Sequence, residues 1–193
     1  MARIVVTEFV SLDGVMEAPG EGESYRHAAW TFEIQRGDEG NQFKVDETRA
    51  SEVLLLGRTT YEGFAAAWPS RTGEFADKFN AMPKYVVSAT LTRPAWHNTH
   101  VIKGDVAREA AKLRQILRGD IVVHGSARLA QTLIEHDLVD ELRLMVFPVL
   151  LGAGKRLFGE ISEKKRWRLV ESRTVGDGVL ILRYCPHTAN KTD

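Results

Sequence analysis

Two stretches of the chain set small, polar and cationic residues directly after an apolar run, the arrangement that suits an anion. The first is Val53–Phe64, VLLLGRTTYEGF, in which four apolar residues are followed by Gly57, Arg58, Thr59 and Thr60. Its pattern predicts a buried strand, a tight turn and a helix start. Gly57 is expected to turn the chain without a Cβ penalty, Thr59 to cap the helix, and Glu62 to complete a capping box three residues on. The first helical N–H groups then face the open end of a sheet, where they and the helix dipole favour negative charge. The planar guanidinium of Arg58 suits phosphate. Local chemistry alone also describes an ordinary capped helix beside a solvated arginine, and favours it. The second stretch, Ile121-Val122-Val123, ends at His124-Gly125, with Ser126 expected to cap a helix that buries Leu129, Leu133 and Ile134.

Other chemistries fit poorly. Gly152-Ala153-Gly154-Lys155 has the flavour of a P-loop, but Val149 stands where its first glycine belongs and Arg156 where Ser or Thr must bind magnesium. No GxGxxG follows the first strand, where the residues read FVSLDGVMEAPG. His97 and His100 have no carboxylate ligand nearby and HExxH is absent, so no metal site is expected. A serine hydrolase would need a GxSxG elbow, and none occurs.

The elements that must position these residues alternate between strand and helix. A first strand begins at Ile4-Val5-Val6 and ends in the turn Ser11–Gly14. Glu17–Gly22, with Pro19, Gly20 and Gly22, is a long loop of the kind that forms lids or binding segments. Trp30 and Phe32 either anchor that loop to the core or line a pocket, with packing the default. Helices are expected over Asp38–Ser51, from Thr59 to about Ala67, over Gly73–Met82, and from a cap at Asp105 to Gly119. Strands are expected at Tyr85–Val87, Val101-Ile102 and, half-exposed, Asp140–Phe147. Pro148–Phe158 is a glycine-rich loop, and Trp167–Thr174 pairs with Val179–Cys185 as an antiparallel hairpin. The result is an α/β sandwich on a mixed sheet, parallel at its centre and antiparallel at one edge. Both glycine junctions fall on the rim where such sheets bind ligands.

The chain has 193 residues, enough for one domain with a real core, read as residues 1–185 with a polar tail at 186–193. Lys+Arg and Asp+Glu are both 26, so no net field draws nucleic acid or an anionic membrane. The short N-terminal apolar run, interrupted at Thr7 and Glu8, is neither signal peptide nor membrane span. Cys185 is the only cysteine, which excludes an intrachain disulfide and a cysteine zinc site and points to a reducing cytoplasm.

SLDGVM, LLLGRTTYEGF, KYVVSATL, VVHGSARLAQTLI with LVDEL, and PVLLGAGKRLF occur in that order between about Arg3 and Tyr184. In this the chain resembles the dihydrofolate-reductase-like superfamily, above all the branch of the riboflavin-biosynthesis reductase domain. The resemblance implies a three-layer α/β/α dihydrofolate-reductase-like fold and NADPH as cofactor. It places the pyrophosphate and 2′-phosphate at Gly57, Arg58, Thr59 and Thr60, the adenosine ribose by Ser88 and Thr90, and a basic partner at Lys103. Gly125, Ser126, Ala127 and Arg128 form the second cofactor junction. There the family has consecutive glycines joined by a cis peptide, so Gly125-Ser126 is expected to be cis.

Asp13 and Met16 fall at the family's nicotinamide and loop region. The substrate-holding carboxylate stays open among Asp38, Glu39, Asp46 and Glu47, with Asn41 near the expected position. His124 is either a proton donor, for which an ordinary pKa near 6.5 is suited, or a histidine fixed by backbone hydrogen bonds. The implied activity is hydride transfer from NADPH to a small pterin-like, pyrimidine-like, carbonyl or imine substrate by a homodimer. The alternative is a non-catalytic dinucleotide- or ligand-binding module.

Overall fold

Short runs of Val, Ile and Leu bounded by glycine, proline or polar turns form the strands, and the longer amphipathic segments between them form the helices. The computed structural model describes residues 1–21 and 24–187. In chain order it contains β1 (Ile4–Ser11), α1 (Gly37–Ala50), β2 (Ser51–Gly57), α2 (Arg58–Ala67), α3 (Glu74–Ala81), β3 (Lys84–Val87) and β4 (Thr99–Ile102). There follow α4 (Val106–Ile116), β5 (Asp120–His124), α5 (Ala127–Glu135), β6 (Glu141–Phe147), β7 (Trp167–Val175) and β8 (Val179–Pro186). The strands form one sheet in the order β4-β3-β2-β5-β1-β6-β8-β7. The first six run parallel, and β8 and β7 join antiparallel to β6 and to each other. This is the mixed sheet anticipated from the sequence. Among the described residues no helix is long and apolar enough to cross a membrane.

Strand alternation divides the core by face. Val6, Leu55, Val123 and Leu142 pack against Leu113 of α4 and Leu133 of α5 on one face. On the other, Leu54 and Leu56 meet Tyr61, Phe79 and Trp96 beneath α2 and α3, and Phe147 meets Trp30 and Phe43 near α1. Trp30 anchors the preceding loop, donating from Nε1 to the Glu17 carbonyl at 2.9 Å, whereas Phe32 is exposed. Gly22 of that loop lies outside the described residues, as do positions 188–193 of the tail. At α4 the Asp105 carboxylate accepts the Arg108 N–H at 3.0 Å, as a cap should. Asp105→Ala is expected to cost about 1 kcal/mol, read as a lower urea midpoint at unchanged slope.

β1 runs from Ile4 to the turn at Ser11 as expected, and Thr7 and Glu8, which break its apolar run, are both buried. Two expectations are corrected. Strand β6 is buried throughout most of its length, because it lies between β1 and β8 and its charged residues are paired internally. Arg143 donates to Glu141 at 2.8 Å and faces Asp120 and Glu47, while Glu141 also accepts from Arg183 at 2.6 Å and Arg3 at 3.3 Å. Gly119 does not close α4, which ends at Ile116; a Cβ there would come within 2.9 Å of the Glu52 Cβ.

The β7–β8 turn docks on the segment that starts α1. Asp177 donates its N–H to the Gln35 carbonyl at 2.7 Å and accepts the Gln35 N–H at 3.2 Å. Gly176, at φ +49, lies so close that a Cβ would overlap the Gln35 carbonyl oxygen.

Candidate functional site

The parallel strands end at a common rim. In sheet order it carries Lys103 after β4, Ser88 and Thr90 after β3, Gly57–Thr60 after β2, Gly125–Arg128 after β5, and Asp13 just past β1. Residues scattered over 115 positions of sequence are thus lined up along one edge, in the order an elongated ligand could follow.

The junctions after β2 and β5 close on one another. Gly57 N–H donates to Ser126 Oγ at 2.9 Å, and a Cβ on Gly57 would stand 3.3 Å from that oxygen. A Cβ on Gly125 would stand 2.9 Å from Thr60 Cγ2 and Oγ1. Gly57 itself has φ −76 and ψ 159, conformations open to any residue. Its role is close approach, which corrects the expectation that it is needed to turn the chain. Gly125 (φ +59) and Ser126 (φ +64) are both left-handed, and their peptide bond is trans, since no cis peptide occurs among the described residues. The expected cis bond is therefore corrected: two successive left-handed residues make the turn.

The capping expectations are corrected too. Gly57, not Thr59, occupies the N-cap of α2, and Glu62 accepts from Arg58 Nε at 2.7 Å instead of closing a box. Ser126 is the N-cap of α5, but its hydroxyl serves Gly57 and its own helix receives no side-chain cap. So, among the described residues, the first-turn N–H groups of α2 and α5 have no side-chain cap, as is true of α1 and α3, whereas α4 has Asp105. Open helix N-termini of this kind receive anions.

Beside them Arg58 donates from Nη1 to Thr90 Oγ1. Ser88 Oγ accepts the N–H groups of Thr90 at 3.3 Å and Leu91 at 3.0 Å, which folds the segment after β3 against the rim. Lys103 is exposed, one residue beyond the Ile102 carbonyl that accepts Ser88 N–H at 3.1 Å. Arg128 is exposed in the first turn of α5, next to Ala127.

A second group of polar side chains lies near the rim, where β1 and β5 meet α1. Asp13 accepts from Ser11 Oγ at 2.6 Å, Leu151 N–H at 3.2 Å and Gly152 N–H at 2.9 Å, and these bonds hold its carboxyl at about 2. It clamps the glycine-rich loop to the end of β1. His124 meets the Phe79 ring edge-on at 5.5 Å between centroids. Burial first, then the nearby Lys44 and Arg143 cations, push its pKa well below 6.5. The expectation of an imidazole titrating near 6.5 is corrected, and the neutral form prevails at pH 7.

Of the four carboxylates left open on α1, only Glu47 faces the sheet. Asp38, Glu39 and Asp46 are exposed, and Asn41 accepts from Arg36 Nε at 2.7 Å. Glu47 is ion-paired with Lys44 and accepts from Thr7 Oγ1 at 3.1 Å, and Lys44 Nζ donates to Thr7 at 2.8 Å. Thr7 pairs in register with His124, so this buried polar group sits one residue below the rim. Sequence reasoning missed Thr7, Glu8 and Lys44 as site residues: the first two stand out only as breaks in the apolar run of a strand, and Lys44 as one charge on a helix. The one available signal was the i,i+3 spacing of Lys44 and Glu47. Surface grooves flanking Trp167, lined by Ile134 and Lys165 among others, lie away from the rim.

The family model described as the RibD C-terminal domain matches residues 2–181. The chain belongs to that family. This RibD C-terminal domain protein is similar to the uncharacterized protein YyaP of Bacillus subtilis (strain 168). The two are 29% identical over 187 residues, covering 94% of each chain. Its fold is similar to that of a putative riboflavin biosynthesis protein from Shewanella sp. PV-4 (TM-score 0.77, 22% identity, 96% of this chain and 99% of that one). It is also similar to dihydrofolate reductase from Enterococcus faecalis complexed with NADP(H) (TM-score 0.63, 16% identity, 96% of each chain). The sheet, with its parallel centre and antiparallel last strands, is the dihydrofolate-reductase-like fold.

Proposed function

We propose that this protein is an NADPH-dependent reductase that transfers a hydride to a small pterin-like or pyrimidine-like heterocycle, or to a carbonyl or imine. One observation carries the reading: the N-termini of α2 and α5, both without side-chain caps, are drawn together at the rim by the Gly57–Ser126 bond. The NADP(H) bound by the Enterococcus faecalis reductase, on the same fold, supports the choice of cofactor. When bound, NADPH supplies the hydride.

The chain's own residues hold and orient it. First-turn N–H groups of Arg58, Thr59 and Thr60, and of Ala127 and Arg128, receive the pyrophosphate, with Gly57, Gly125 and Ser126 leaving room for it. Arg58 and Lys103 neutralise the 2′-phosphate, and Ser88 and Thr90 border the ribose. Asp13, ionised, fixes the 148–154 loop at the nicotinamide end, and neutral His124 offers a fixed hydrogen bond to the substrate in place of a mobile imidazolium proton.

A thermal-shift titration tests this directly. NADPH should raise the melting temperature more than NADH at equal concentration, since a ligand at 100 times its Kd stabilises by about 2.7 kcal/mol. No shift with either nucleotide would overturn the reading. Arg58→Ala should raise the Kd for NADPH about tenfold or more, and narrow its advantage over NADH.

A second reading, a binding module without turnover, is favoured by how the two sequence-predicted catalytic groups are held: Asp13 is taken up by Ser11 Oγ and two backbone N–H groups, and burial pushes the His124 pKa down. NADPH oxidation with any member of a panel of pterins, pyrimidines and carbonyl compounds selects the enzyme. Tight binding with no turnover across the panel selects the module.

A further inference from the structure

The Glu8 carboxylate meets the β5–α5 junction, and its environment is unusual for an acid. It is only 5% exposed, near the carboxyl end of β1. Its Oε2 accepts the Gly125 N–H at 2.9 Å, while Oε1 is buried with no hydrogen-bond partner among the described residues. Alternation along β1 sets it on the face of Val6 and Val10, beneath α5. A lone buried carboxylate oxygen is costly, and the cost falls if the oxygen carries a proton.

The groups around it do not supply a counter-charge of its own. Lys44 and Glu47, both on α1, act on it in opposite senses and are paired with each other. From β5 it receives the Gly125 N–H, and its register partner on β6 is the apolar Leu144. Burial is the largest influence and raises its pKa well above the ordinary value.

We propose that Glu8 is a proton-linked positioning residue of the cofactor site, holding the Gly125 N–H from below and taking up a proton when an anionic dinucleotide binds at the α5 N-terminus. This rests on the cofactor reading above. The physical basis is reciprocal linkage. A pyrophosphate at the mouth of the junction repels an ionised Glu8, so binding favours the neutral carboxyl, and the neutral carboxyl favours binding. The neutral form keeps a carbonyl oxygen to accept the Gly125 N–H, so the junction is not released by protonation. At low pH Glu8 is already neutral and the cofactor binds without proton uptake. Above the pKa of the free protein each unit of pH weakens binding tenfold, until the pKa of the bound state is passed.

Calorimetric titration of NADPH from pH 6 to 9, in two buffers of different ionisation enthalpy, counts the protons taken up. The wild-type protein is expected to gain up to one proton per NADPH over part of that range, with a matching rise in Kd. Glu8→Gln, which keeps the acceptor and cannot ionise, should lack the Glu8 share of both the uptake and the slope. Protonation of the cofactor's own 2′-phosphate, with a pKa near 6, contributes alike to both proteins and cancels in the comparison. Equal proton counts and slopes in the two proteins would overturn the proposal while leaving NADPH binding intact. Absence of binding at every pH would instead remove the cofactor reading, and this proposal with it. Should Glu8→Gln fail to fold, carboxyl 13C NMR of the wild-type protein reads the Glu8 midpoint directly. A midpoint raised by NADPH supports the linkage, and one unmoved by NADPH overturns it.

Discussion

Gly125→Ala is expected to raise the Kd for NADPH on the order of 100-fold, equivalent to about 2.7 kcal/mol. Two effects combine. Residue 125 sits at φ +59, where a Cβ is strained, and that Cβ would stand 2.9 Å from Thr60. Thr60 is β-branched and lies in the first turn of α2, so it has few rotamers with which to retreat. The two helix starts must move apart, and the Gly57–Ser126 bond lengthens or breaks. Loss of stability should be smaller, about 1–2 kcal/mol, because the strain is local to one surface turn. Fluorescence titration of NADPH alongside a urea curve separates the two. Adding Thr60→Ala should recover the part due to overlap and leave the part due to φ. Wild-type affinity in Gly125→Ala would show that the junctions need not close on each other to bind the cofactor.

The second large effect concerns Glu141→Gln, which should destabilise the fold by about 3–5 kcal/mol. Glu141 is 2% exposed and accepts from Arg143, Arg183 and Arg3. Removing its charge leaves guanidinium groups facing one another with only Asp120, Glu47 and Glu171 to share. Burial alone would raise the Glu141 pKa, but the hydrogen bonds from Arg143 and Arg183 outweigh it and hold the group at about 2. A carboxylate depressed in the native state contributes stability that is complete above its unfolded pKa of about 4.3. That contribution is lost as pH falls through the native value. The stability difference between the two proteins should therefore be constant from pH 7 to 5 and shrink toward pH 2, as read from urea midpoints. A difference that did not change with pH would assign the effect to packing and not to charge.

Much of the fold could be read from residue patterns because its elements declare themselves locally. Leu54–Leu56 and Ile121–Val123 are apolar on both faces, as parallel strands between helix layers must be, and α4 shows its cap and its apolar stripe together. The rim followed from the two glycine junctions. What stayed hidden depends on partners far away in sequence. Arg143, between Leu142 and Leu144, signals a solvent face to any scale of hydropathy, and only Glu141, Asp120 and Glu47 make its burial tolerable. Lys44 and Glu47 likewise read as solvated until Thr7 is brought 2.8 Å from the lysine. The cap of α2 was misplaced for the same reason: Ser126, 69 residues on, takes the Gly57 N–H and sets where the helix begins.

The docking of the β7–β8 turn on Gln35 bears on how the chain is made. The segment that launches α1, and with it Lys44 and Glu47, is braced by residues 176 and 177. A ribosome delivers α1 long before that brace emerges, and β1 waits similarly for β5 and β6 on either side. Contacts of such long sequence separation slow folding, and domains of this size pass through partly ordered intermediates. The paired junctions after β2 and β5, complete by residue 128, can assemble on the nascent chain, whereas the Lys44–Glu47 side of α1 takes its final shape only when the last hairpin closes.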